Sequence, residues 1–251
     1  MKKLAVFAVI LLLSYGCAKE IEVDKPAEYY KELGDTLAVE GKYSQAAERY
    51  EQALVRAETP AYVAEIQLAL ADSYFLAGKY EDAIAVYEVY IEVYKDWENV
   101  KLATVRLGLA YFNIVRYTAQ DQTNTEKSLY YLEKVKENYP DLIEEYDVDI
   151  RIELLRERLA RKEMSIAKYY ARILKNEPEL LRYKYVINHY SDTKYYPEAV
   201  FRAVKLLLKQ DNLSESMLYY ENLKVLKPDD KYTKKIDKLI AKYKEKENEK
   251  K

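Results

Sequence analysis

The sequence predicts an all-α protein, a solenoid of about five repeated helix pairs. Only 5 glycines and 6 prolines occur among its 251 residues, which leaves few of the tight turns that join β-strands. Apolar side chains recur at helical spacing through most of the chain. A short pattern also appears twice, at Gly41 and at Gly78, and such a period is typical of repeat proteins.

The first 16 residues predict a cleavable export signal. Two lysines precede the apolar run Leu4–Leu13, which is too short for a membrane span because a span needs about 20 apolar residues. Cys17 follows and is the only cysteine, so no internal disulfide can form. Its position resembles the lipobox of bacterial lipoproteins, which predicts a lipid on Cys17 and an anchored tether over residues 17–26. The alternative is an ordinary signal peptide with a leftover cysteine.

The two copies of the pattern predict antiparallel helix pairs. Each copy begins Gly-Lys-Tyr, and each glycine is expected to end a helix in the left-handed conformation. Small residues at the closest approach should face each other, with large tyrosines filling the gap to the next unit; these are Gly34 with Ala46 and Tyr50, then Ala71 with Ala83 and Tyr87. This is the tetratricopeptide pattern, which predicts a right-handed superhelix; the alternative is an unrelated helical hairpin protein.

The same signature organises the rest of the chain. Residues 27–141 are predicted to hold units one to three. Residues 142–228 are predicted to hold a long connecting helix and units four and five, with Asn212 replacing the turn glycine of unit five. Residues 229–251 are predicted to be a last helix that decays into a charged tail.

Two segments carry a family resemblance. Residues 156–170 read Arg-Glu-Arg-Leu-Ala-Arg-Lys-Glu-Met-Ser-Ile-Ala-Lys-Tyr-Tyr, and residues 188–193 read Asn-His-Tyr-Ser-Asp-Thr. With the lipobox and the five units, they resemble the BamD family of lipoproteins of the β-barrel assembly machine. The resemblance implies a scaffold on the periplasmic face of the outer membrane. Another periplasmic tetratricopeptide lipoprotein, acting in cell-envelope organisation, division or DNA uptake, is the alternative.

The resemblance also implies partners. The C-terminal units would dock on a BamA-type barrel subunit through Arg182, whose planar guanidinium suits a carboxylate; the alternative is that Arg182 is a solvated charge. The N-terminal units would receive unfolded outer-membrane proteins, here called clients. Accessory lipoproteins are further possible partners. The usual loop between units one and two is replaced here by Arg56–Tyr62.

Six positions on the first helices of units one to three are the default ligand contacts of this fold. Packing is the alternative for each of them, and only the set is proposed as a client groove. The six are Lys31, Asp35, Asp72, Phe75, Phe112 and Asn113.

The composition argues against catalysis. His189 is the only histidine, and no phosphate-binding glycine loop or nucleophile with a base is found. We therefore expect no enzyme activity, no metal and no cofactor beyond the lipid. A net charge of −2 gives no basic excess for nucleic acid.

Overall fold

The described part of the chain is helical throughout. The computed structural model describes residues 25–115 and 122–249, which form eleven α-helices and no strand. None of these helices is both long enough and apolar enough to cross a membrane. Cys17 and the predicted signal lie outside the described residues. The helices are α1 (Ala27–Val39), α2 (Tyr43–Leu54), α3 (Pro60–Leu76), α4 (Tyr80–Val93), α5 (Val100–Ile114), α6 (Thr123–Asn138), α7 (Val148–Arg172), α8 (Asn176–His189), α9 (Tyr196–Lys209), α10 (Leu213–Leu226) and α11 (Lys231–Glu249).

Neighbouring helices pack in chain order, which makes five pairs from α1–α2 to α9–α10. First helices of neighbouring units also touch, since α3 contacts α5 and α9 contacts α11. A 3-10 turn at Pro140–Leu142 precedes α7, the longest helix. The predicted all-α tetratricopeptide solenoid is confirmed. The core is a series of apolar clusters along it, the largest shared by α7 to α11.

Backbone conformation at the turns follows the repeat. Gly41 and Gly78 both have φ of 75°, a left-handed value that glycine adopts without a Cβ penalty. In unit five the prediction for Asn212 is wrong by one residue, because the left-handed position is Asp211, with φ of 56°. Asn212 is instead the N-cap of α10, and its side chain accepts a hydrogen bond from the backbone N–H of Glu215 at 3.2 Å. An N-cap of this kind suits asparagine.

In unit one, the closest neighbour of Gly34 is the ring of Tyr50. A Cβ added at Gly34 would lie 2.7 Å from Cε1 of Tyr50, so the glycine makes room for a ring in its own unit. Tyr50 also shares an apolar cluster with Ile66 and Leu70 of unit two, so it lies at the boundary between the two units, in agreement with the sequence prediction. In unit three, the Ser128 hydroxyl donates to the Gly108 carbonyl at 2.8 Å, so two small residues do meet there.

Candidate functional site

Two of the predicted groove residues, Lys31 and Asp35, lie together in a polar tie between units one and two. The Lys31 ammonium contacts carboxylate oxygens of Asp35 and of Glu65 on α3, each at 2.9 Å. Asp35 also accepts a hydrogen bond from the Tyr50 hydroxyl at 2.8 Å. Both groups thus have partners within the chain, and their role in client binding stays a prediction.

Asp72 occupies the position in unit two that Asp35 occupies in unit one, and it has the same tyrosine partner. The hydroxyl of the fully buried Tyr87 donates to Oδ1 of Asp72 at 2.5 Å. Burial, with the charge of Asp72, holds the pKa of Tyr87 above its usual range. Arg106 on α5 pairs with Oδ2 of the same carboxylate. Asp72 therefore joins units two and three, a structural role that the sequence did not indicate.

The two predicted phenylalanines are both partly buried. Phe75 packs edge-on against Tyr80, with 5.6 Å between ring centroids. Phe112 packs against the cluster shared by α5, α6 and α7, and the Arg151 guanidinium lies 5.3 Å from its ring centroid. Phe75 thus contacts mainly other side chains of the chain, whereas Phe112 also borders open space.

That open space is a cleft between α5, α7 and the start of α9, with a volume of about 420 Å³. It brings Phe112 and Asn113 together with side chains of α7 and of the turn before α9, which the sequence did not connect with them. Its lining includes two arginines a helical turn apart on α7, and an ion pair between that turn and α7. The added residues are Leu154, Arg158, Arg161, Tyr195 and the pair Lys194–Glu157.

The two arginines of this cleft influence each other. Partial burial and the positive charge of Arg161 lower the pKa of the Arg158 guanidinium. The cleft is thus lined by charged side chains of α7 together with the apolar Phe112 and Leu154. Their spacing, i and i+3 within residues 156–170, puts them on one helix face, and this was the available sequence signal.

Arg182, the predicted docking residue, lies on α8 and is partly exposed. Its Nη1 pairs with Oε2 of Glu163 on α7 at 3.0 Å. The side chain of Glu163 is largely covered, so the pair links the two helices of unit four. Whether Arg182 docks a partner stays a prediction.

Hydrogen bonds from Arg156, here called the clamp, join the two ends of the segment 156–193. The guanidinium donates to both carboxylate oxygens of Asp192, at 2.7 and 2.9 Å, and to the His189 carbonyl at 2.8 Å. Arg156 lowers the pKa of the Asp192 carboxyl. The guanidinium carbon of Arg156 also lies 5.6 Å from the centroid of the Tyr190 ring. The clamp fastens the turn after α8 to the middle of α7.

A metal site was not expected. Within residues 25–115 and 122–249 no three His, Cys, Asp or Glu side chains form a group that could hold a metal ion.

Comparisons with known proteins identify the family. A family model described as YfiO, outer membrane lipoprotein, matches residues 23–216. The outer membrane protein assembly factor BamD of Rickettsia prowazekii (strain Madrid E) is 26% identical over 246 residues, covering 96% of this chain and 98% of that protein. BamD of Neisseria gonorrhoeae is 26% identical over 220 residues, covering 80% of this chain and 82% of that protein.

Among solved structures, the complex of the yeast Sti1 TPR2AB domain with pHSP90 aligns at 12% identity and a TM-score of 0.38, covering 87% of this chain and 98% of that chain. The sequence comparisons confirm the resemblance to the BamD family. The chain belongs to the YfiO family of outer membrane lipoproteins.

Proposed function

We propose that this protein is a non-enzymatic scaffold for the assembly of outer-membrane proteins. The observation that carries the proposal is the match to an outer membrane protein assembly factor over nearly the full length of both chains. A solenoid suits this work because its stacked helices give an extended surface on which other chains bind. The protein would hold unfolded clients near a BamA-type barrel subunit.

Client binding is proposed for the side of the first helices in units one to three. Among the predicted groove residues, Phe112 and Asn113 border the open cleft, which supports a role for unit three. Lys31, Asp35 and Asp72 are tied into contacts between units, so a client there would meet paired charges.

Docking of the BamA-type subunit is proposed around Arg182. The Nη1 atom donates a hydrogen bond to Glu163 at 3.0 Å, and a guanidinium carries five N–H donors. A carboxylate of the partner can therefore share the guanidinium without breaking the internal pair. Accessory lipoproteins are proposed as further partners of the complex.

Anchoring is proposed through a lipid on Cys17, with the solenoid on the periplasmic face of the outer membrane. The family match begins at residue 23, a few residues after this cysteine. Cys17→Ala should release the protein from membranes, as fractionation and mass spectrometry of the mature N-terminus would show.

The function is tested by depletion in the host cell. Loss of the protein should lower the amount of folded outer-membrane barrels, and wild-type protein should copurify with the BamA-type subunit from solubilised membranes. Normal barrels together with septation or cell-wall defects would instead support the alternative envelope scaffold.

Docking at Arg182 is tested by a charge swap. Arg182→Glu should weaken copurification, because it repels a carboxylate on the partner. The double variant Arg182→Glu/Glu163→Arg restores an internal pair between α7 and α8, yet should still fail to dock. Arg172→Gln, an exposed arginine at the end of α7, is the matched control. Full copurification of the double variant would remove Arg182 from the docking surface.

A further inference from the structure

The last helix, α11, has a strongly basic exposed face. Residues 231–244 contain six lysines and only one acidic residue, Asp237, although the whole chain has a net charge of −2. The carboxylate of Asp237 accepts a hydrogen bond from the Tyr220 hydroxyl on α10. Positive charge is therefore concentrated on this helix, and the acidic residues of the same stretch do not balance it.

Five of these lysines form one row along α11. At about 100° per residue they fall within a sector of about 100°, on the side of the helix opposite the buried Ile236 and Ile240. All five are exposed, and the row is about 16 Å long at the rise of an α-helix. Its members, here called the lysine ridge, are Lys231, Lys234, Lys235, Lys238 and Lys242.

The lysine ridge has no carboxylate partner in the part of the chain that the structure describes, because no ion pair there includes any of its members. Lys136 of α6, by contrast, pairs with Asp149 of α7 at 2.6 Å. Lys231 and Lys235 each lie 5.0 Å from the ring centroid of Tyr232, a contact that leaves their positive charge in place. The ridge therefore attracts negative charge from outside the chain.

The shape and position of the ridge indicate which ligand fits it. α11 packs against α9 and α10, and the ridge lies on the side away from its buried residues. A helix face is convex, so it does not enclose a small anion. A row of flexible ammonium groups instead matches an extended surface on which each lysine can reach a separate phosphate. The chain belongs to a family of outer membrane lipoproteins, and a bilayer is the surface of this kind beside such a protein.

We propose that the lysine ridge binds the anionic headgroup surface of a phospholipid bilayer. The ammonium groups contact lipid phosphates, while the apolar face of α11 stays packed in the solenoid, so that the helix lies on the surface without inserting. Attachment of this kind is reversible, and it orients a solenoid that is anchored elsewhere without replacing the anchor. The proposal rests on membership of the family and is independent of the proposed client and docking sites.

The test is cosedimentation of the purified protein with lipid vesicles. The full chain carries Cys17→Ala, so that no covalent lipid contributes, and the same N-terminal segment is present in every variant. One set of vesicles is phosphatidylcholine alone, and the other is an equal mixture of phosphatidylcholine and phosphatidylglycerol. Binding to the anionic vesicles should be about tenfold stronger or more. It should weaken with salt, because the screening length falls from about 10 Å at 0.1 M to about 3 Å at 1 M.

Matched triple variants assign this binding to the ridge. Replacing Lys234, Lys238 and Lys242 by glutamine should weaken binding to the anionic vesicles about a hundredfold, at about fivefold per lysine. Replacing the same three by arginine should preserve binding, because the charge remains. The control replaces three exposed lysines outside α11 by glutamine, and these are Lys95, Lys168 and Lys175. The control changes the net charge equally but should keep most of the binding, and thermal unfolding checks the fold of each variant.

Equal binding to neutral and anionic vesicles would overturn the proposal, and so would equal losses in the glutamine variant of the ridge and in the control. Normal vesicle binding by the ridge variant, together with weaker copurification of the BamA-type subunit, would also overturn it and would assign the ridge to an acidic protein surface. Depletion of the protein tests the assembly role separately, because the vesicle assay contains no partner protein.

Discussion

A single methyl group at Gly34 should disturb unit one. The Cβ of Gly34→Ala would lie 2.7, 2.9 and 3.1 Å from three ring atoms of Tyr50, so the ring has to move. That ring is 3% exposed, and its hydroxyl is held by Asp35 at 2.8 Å. Displacement therefore strains the core and lengthens this hydrogen bond at once.

Two opposing effects set the magnitude. Overpacking lowers the free energy of unfolding by about 1–3 kcal/mol. Replacing a helical glycine by alanine raises it by about 1 kcal/mol. Loss of the hydrogen bond from Tyr50 adds about 0.5–1 kcal/mol, at the low end because the Asp35 side chain is 46% exposed. We expect a net loss of about 1–2 kcal/mol in the free energy of unfolding, or about 2–8 °C in Tm for a chain of this size.

The assay is a double-mutant cycle by urea and thermal unfolding. In a Tyr50→Phe background the ring has no hydrogen bond to Asp35, so it can tilt away from the new methyl group. Gly34→Ala should then cost about 0.5–1 kcal/mol less than in the wild-type chain. The reasoning fails if Gly34→Ala is neutral or stabilising, or if the two changes are strictly additive.

Three further predictions concern the polar contacts. Arg156→Gln should lower the free energy of unfolding by about 1–2 kcal/mol, because it breaks the two-pronged bond to Asp192. Tyr87→Phe should cost about 1–2 kcal/mol, more than Tyr50→Phe, since Tyr87 is fully buried. Stability should also fall as the pH rises above about 10. Burial raises the pKa of Tyr190 to about 12, so the folded state keeps a proton that the unfolded state releases.

Each of these three has a control. Arg172→Gln removes an exposed arginine at the end of the same helix and should be neutral, so equal losses in the two arginine variants would contradict the clamp. Equal costs for the two tyrosine variants would contradict the burial argument. In the alkaline series, Tyr190→Phe should lose less stability than the wild-type chain between pH 10 and 12, and an equal loss would refute the expected shift.

Periodicity could predict the fold because each unit repeats the same local rules. The turns at Gly41 and Gly78 require a left-handed backbone, which favours glycine, and the close approaches between helices require small side chains. Both requirements restrict the residue type, so both could be recognised in the sequence. The position of the turn in unit five was missed by one residue. Asp and Asn are both tolerated in left-handed turns, and the chain uses Asp211 for the turn and Asn212 for the cap.

Contacts between units were much harder to predict. Arg106 reaches Asp72 across 34 positions of the chain, and no short spacing marks such a pair. Arg158 and Phe112 line the same cleft, although they lie 46 positions apart on α7 and α5. Spacing within the sequence assigned each residue to a face of its own helix. It could not predict the residue's partner on another unit, because that partner depends on how the units stack.

The sequence contains 28 tyrosines, and several of them contribute to this stacking. Within a unit, Tyr50 and Tyr87 each donate to an aspartate 15 positions earlier. Tyr220 of unit five donates to Asp237 of the last helix, α11. Between units, Tyr74 and Tyr111 each donate to a glutamate 23 positions earlier. A tyrosine serves both needs because its ring fills the interface while its hydroxyl bonds a carboxylate at the edge.

This use of tyrosine bears on where ligands bind. The carboxylates of Asp35 and Asp72 already accept phenol hydroxyls. Asp35 also pairs with Lys31 of its own helix, and Asp72 pairs with Arg106 of the next unit. A ligand there would have to displace contacts that hold the solenoid together, which costs free energy in proportion to the bonds lost. In the cleft beside Phe112 the carboxylate of Glu157 is likewise bound, to Lys194. Binding at these carboxylates of units one and two would therefore exchange contacts within the chain for contacts with the ligand.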